Sequence, residues 1–71
     1  MTNNQKSLYM NSYGVTKEDL ERYKIVEKYS LDGKRWYEGY DTVLRRPMTY
    51  HYKTIREAFL NMCVSIKKNK K

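Results

Sequence analysis

Seventy-one residues bound this chain to one domain, near the lower size limit for a self-sufficient core, which leaves little depth for a substrate pocket. The apolar fraction is 39%, and eight tyrosines and one tryptophan supply much of it, a composition suited to a small core with an interaction surface. Fifteen Lys and Arg against eight Asp and Glu leave a net charge of +7, which favours nucleic acid, an anionic membrane or an acidic protein as partner.

Residues 1–12 are polar and show no clear period, so a flexible arm is expected ahead of a single α+β domain over 13–68. Thr16 opens the next element. Asp19 follows three residues later, close to a capping box, and Val15 with Leu20 fits a hydrophobic staple, which predicts a short helix over 17–23. Should that helix fail, the order α-β-β-β-α shortens to β-β-β-α.

The stretch 24–54 organises the chain around Asp32-Gly33. Two β-prone runs, KIVEKYSL and KRWYEGYDTVL, flank this pair, and an Asp-Gly between such runs is a strong hairpin signal. A two-residue type I′ loop would set Leu31 opposite Lys34, Tyr29 opposite Trp36 and Ile25 opposite Tyr40. Tyr23, Ile25, Glu27, Tyr29 and Leu31 would then share a core face with Trp36, Glu38, Tyr40, Thr42 and Leu44. The wet face would carry Lys24, Val26, Lys28 and Ser30 with Arg35, Tyr37, Gly39, Asp41 and Val43. This register places Glu27 against Glu38, an unfavourable like-charge pair that a bulge at Gly39 or a position in water would relieve.

Arg45-Arg46-Pro47 breaks the strand pattern, because proline cannot donate to a ladder. The string MTYHYK alternates Met48, Tyr50 and Tyr52 against Thr49, His51 and Lys53, which predicts a third, edge strand. Thr54 followed by Glu57 reads as a capping box, and Ile55, Phe59, Met62, Cys63 and Ile66 recur at helical spacing. Lysines 67, 68, 70 and 71 close the helix near the negative end of its dipole, and 69–71 form a short basic tail. The expected fold is a three-stranded antiparallel sheet covered by this C-terminal helix.

Candidate sites follow from charge and aromatic content. Lys24, Lys28 and Arg35 with Tyr37 form a basic, aromatic sheet face, where phosphates take the cations and a base stacks on the ring. Arg45 and Arg46 in the following loop, with Lys67 and Lys68 at the helix end, extend that basic surface. Leu60 and Val64 lie four apart and off the main stripe, so they are candidates for a protein interface or homodimer contact. His51 stands alone without a suitably spaced nucleophile, and one histidine cannot build a metal site. No catalytic, metal or cofactor motif is present.

The single cysteine excludes an internal disulfide and fits a reducing cytoplasm. No apolar run approaches the ~18 to 20 residues of a membrane span, and the polar N-terminus lacks a signal-peptide core. The expectation is a small cytoplasmic, non-enzymatic module that binds DNA or RNA through its basic sheet face. The alternative is a phage- or mobile-element-type protein that binds and inhibits or modulates an acidic host protein.

Overall fold

A computed structural model describes residues 1–70 and contains α1 (Asn3–Tyr13), α2 (Asp19–Arg22), β1 (Tyr23–Tyr29), β2 (Arg35–Asp41), β3 (Arg46–Pro47) and α3 (Ile55–Asn69). The strands form one antiparallel sheet in the order β1-β2-β3, and α3 lies across one face. Lys71, the last residue of the expected tail, lies outside the described residues.

The segment expected as an arm is helical. Thr2 caps α1 in a reciprocal box with Gln5, and Gly14 ends it in a left-handed conformation at φ 66°. α1 rests on α3 through half-buried Tyr9, Met10 and Tyr13, with Arg56 Nε donating to the Tyr9 hydroxyl at 2.8 Å. The Thr16 box forms as expected: Thr16 N–H reaches Asp19 Oδ2 at 2.8 Å, and Asp19 N–H reaches Thr16 Oγ1 at 3.2 Å. The helix behind it is one turn, Asp19–Arg22, rather than the full 17–23.

The hairpin falls at Asp32-Gly33, but its loop differs from the expected one. Ser30 N–H bonds the Lys34 carbonyl at 2.9 Å and Gly33 N–H bonds the Ser30 carbonyl at 3.0 Å, leaving a three-residue loop, 31–33. Gly33 takes φ 86° while Asp32 keeps a negative φ, and a type I′ turn needs both positive. Asp32 instead accepts from Ser30 Oγ and, at 3.3 Å, from Lys34 N–H.

One added loop residue shifts the register. Tyr23 pairs with Asp41, Ile25 with Gly39, Val26 with Glu38, Glu27 with Tyr37, Lys28 with Trp36 and Tyr29 with Arg35. Because side chains alternate, this turns the whole of β2 over relative to β1. Gly39 and Asp41 move to the α3 face beside Tyr23 and Ile25, while Trp36, Glu38 and Tyr40 move to the other face. Glu27 and Glu38 therefore lie on opposite faces, and the expected pair does not exist. Gly39 makes no bulge in the β1–β2 ladder; it permits close packing, since a Cβ there would lie 2.9 Å from Thr49 Cγ2 and 3.1 Å from Met62 Cγ.

The third strand does not run over 48–53 as expected; β3 is Arg46–Pro47, the stretch expected to break the pattern, and 48–53 keeps a single bridge at Tyr52. Arg46 and Pro47 pair with Asp41 and Tyr40, and pairing resumes only at Tyr52, which exchanges both backbone bonds with Tyr37. Met48 N–H bonds the Gly39 carbonyl at 2.9 Å, so Thr49, Tyr50 and His51 together stand opposite the single residue Glu38. Arg45 turns the chain into β3 at φ 56°.

Thr54 caps α3 by accepting from Glu57 N–H at 3.2 Å. Ala58, Phe59, Met62, Cys63 and Ile66 are buried and join Val15 and Tyr23 in the core, whereas Ile55, expected in the stripe, is exposed. Lys70, expected in the basic tail, donates to the Gly14 carbonyl and Asp19, tying the end of α3 to the α1–α2 connection. Among the described residues, no helix is long and apolar enough to cross a membrane.

Candidate functional site

The residues singled out by charge separate into four places. Lys24 and Lys28 point from the sheet face opposite α3, with Lys24 across from Tyr40 and Lys28 across from Trp36. Arg35 and Tyr37 project from the other face at the hairpin tip, beside Glu27 and Tyr29. There the Tyr29 hydroxyl donates to Glu27 and holds its carboxyl below the usual range, reinforced by Tyr37 and Arg35. The expected grouping of Lys24, Lys28, Arg35 and Tyr37 on one face is thus broken by the register. Arg45 sits in the β2–β3 turn, and Arg46 lines a concavity with Asp41, Leu44 and Asn69 on the α3 side. Lys67 lies over the Tyr13 ring, and Lys68 borders a groove beside Tyr50 and Tyr52.

Leu60 and Val64, one helical turn apart on α3, are both half-buried and border different concavities. Val64 faces the groove of about 430 Å³ between α3 and the 48–52 segment, and Leu60 lies near Thr54, Arg56 and Glu57.

The turn beyond β2 is fixed by one carboxylate. Asp41 Oδ1 accepts from Val43 and Leu44 N–H at 2.9 and 3.1 Å, and both oxygens take the Arg22 guanidinium at 3.0 and 2.9 Å. Those Arg22 bonds come first, and the two amides add to them; together they outweigh burial and hold the Asp41 carboxyl at about 2. Asp41 is structural, a clamp between α2 and the sheet. Cys63 is fully buried, and burial pushes its thiol up to about 11, which makes it inert.

The most unusual chemistry lies on the sheet face away from α3. Its centre is Trp36, whose ring stacks on His51 with centroids 4.9 Å apart and planes 22° apart. Glu38, two residues along, is 3% exposed, and its Oε2 lies 3.7 Å from His51 Nε2. Neither Glu38 Oε2 nor Trp36 Nε1 has a hydrogen-bond partner among the described residues. Around them the face presents Lys24, Val26, Lys28 and Tyr40. Sequence reasoning placed Trp36, Glu38 and Tyr40 in the core and read His51 as an ordinary strand residue. The signal that separates the two registers is Ser30-Leu31-Asp32-Gly33, a sequence that also suits a type I turn closed by a left-handed glycine. Among the described residues, no three His, Cys, Asp or Glu side chains converge as metal ligands.

No protein family, curated protein or solved structure matches this chain.

Proposed function

We propose that the chain is a small non-enzymatic module that binds single-stranded nucleic acid in the cytoplasm through the sheet face opposite α3. The observation that carries this reading is the pairing of Lys24 with Tyr40 and Lys28 with Trp36 on a face that α3 does not cover. Cations take phosphates, and aromatic faces accept stacked bases without regard to sequence. Net charge of +7 adds long-range attraction to a polyanion. The deciding experiment is fluorescence anisotropy with short single strands over a series of salt concentrations. Affinity is expected to fall linearly on a log-log plot, by a slope of about 0.7 per phosphate contact. Replacing Lys24 and Lys28 by Ala should shallow the slope by up to two such contacts. No binding at low salt, where a basic surface is most adhesive, overturns the reading.

A second reading, a modulator of an acidic host protein, is supported by the free edge of β1. Antiparallel bonding alternates, and the pairs Arg22–Thr42 and Ser30–Lys34 set the even residues of β1 toward β2. Ile25, Glu27 and Tyr29 therefore turn their backbone N–H and C=O groups outward, where a partner strand could add to the sheet. A synthetic acidic peptide that binds with backbone protection at those three amides would favour this reading.

A further inference from the structure

The His51 side chain sits on Trp36 much as a nucleobase would. A planar nitrogen heterocycle stacks on an indole, with one ring nitrogen turned toward a buried carboxylate oxygen at 3.7 Å, beyond hydrogen-bond length. That oxygen, Glu38 Oε2, has no donor among the described residues, which leave the acceptor unsatisfied. The segment holding His51 is three residues set against one on β2, anchored at Met48 and Tyr52. Of the three, Thr49 is tied by accepting from Gly39 N–H at 2.8 Å, while the Tyr50 side chain is free and His51 is two-thirds exposed outside its stack.

Resting on the nucleic-acid reading above, we propose that His51 is a stand-in for a base, and that an unpaired guanine displaces it from Trp36 and donates to Glu38. The choice of guanine follows from donor geometry. A carboxylate accepts two parallel N–H bonds from guanine N1 and the exocyclic amine. Thymine and uracil carry a single ring N–H between two carbonyl oxygens, which repel a carboxylate. Adenine and cytosine place a ring acceptor beside their amine, so one carboxylate oxygen faces a lone pair. Lys28, directly across from Trp36, and Lys24 further along β1 then meet the phosphates flanking the stacked base.

Two strands of equal length test the assignment: an oligothymidylate of about nine nucleotides, matched to a small single-strand site, and the same strand with one central guanine. Trp36 is the only tryptophan, so its emission reports stacking at this position directly. The guanine strand is expected to bind about tenfold tighter, within the range of a good bidentate base contact, and to quench Trp36 emission. Glu38→Gln is expected to bring the two strands to the same affinity. His51→Ala is expected to tighten guanine binding, because the competitor for the platform is gone. Equal affinity of the wild-type protein for both strands overturns the guanine assignment while leaving the nucleic-acid reading in place. Unchanged guanine affinity in His51→Ala, which removes only an exposed ring, overturns the displacement. Failure of the wild type to bind either strand at low salt overturns the nucleic-acid reading and this inference with it.

Discussion

Asp41 and Gly39 show how much a single position decides in a core this small. Asp41 holds Arg22 with both oxygens and orders the following turn with two backbone amides. Its folded carboxyl titrates at about 2 against 3.8 for a free aspartate, so it stays charged in the fold while the unfolded chain protonates. The stability it contributes is present above about pH 4 and is lost as pH falls toward 2. Melting temperature followed by circular dichroism from pH 5 to 2 should therefore drop less steeply in Asp41→Asn than in the wild type, from a lower starting value. At Gly39 the constraint is space. An alanine Cβ would press on Thr49 Cγ2, and Thr49 cannot turn away without releasing its hydroxyl from the Gly39 N–H. Gly39→Ala is expected to cost about 1 to 3 kcal/mol in urea unfolding, the usual range for an overfilled core. Cys63 offers an internal probe: with its thiol buried and pushed up to about 11, disulfide-exchange reagents at pH 8 should label it only as fast as the core opens.

At the scale of elements, α3 was legible because three independent signals agree on it: a cap, a helical apolar stripe and basic residues in the last turn. Thr54 and Phe59 carry the first two. Thr54→Ala should cost about 0.5 to 2 kcal/mol by freeing the Glu57 N–H. Phe59→Ala should cost about 3 to 5 kcal/mol by emptying a site between α1, α3 and β1, enough to unfold a domain of this size. Denaturant melts of the two variants separate the mechanisms. α1 was legible only at its ends, in the Thr2–Gln5 capping box and the Gly14 stop, because an isolated polar helix of this length is marginal in water and its stability comes from docking Tyr9, Met10 and Tyr13 on α3. No local pattern in 3–13 announces that contact. The hairpin was half legible. Asp32-Gly33 marks where the chain turns, but loops of two and three residues both place a left-handed glycine there, and they differ by one residue of register. That one residue put Trp36, Glu38 and Tyr40 on the wrong face and scattered the expected basic site.

For the molecule as a whole, the consequence is that its positive charge is distributed rather than gathered. The molecule is 17 Å along its shortest axis, two layers of secondary structure, with α3 on one side and Lys24, Lys28, Trp36 and Tyr40 on the other. Arg46, Lys67 and Lys68 belong to the α3 side or its end, where they sit beside Asn69, Tyr13 and the 48–52 segment. A strand lying on the uncovered face therefore contacts one set of cations and only feels the field of the other. The two sets should behave differently in the same salt titration. Direct phosphate contacts set the slope, because each one releases condensed counterions. Distant charges act through a potential screened over about 10 Å at 0.1 M salt, so they accelerate encounter at low ionic strength and fade above it. Replacing Arg45 and Arg46 by Ala is accordingly expected to slow association at low salt and to leave the dissociation rate and the slope near wild-type values. Replacing Lys24 and Lys28 should raise the dissociation rate and shallow the slope. Stopped-flow measurements on both variants with one oligonucleotide distinguish these outcomes. A slope that falls with the Arg45 and Arg46 pair, and not with the lysines, would move the binding surface to the β2–β3 turn.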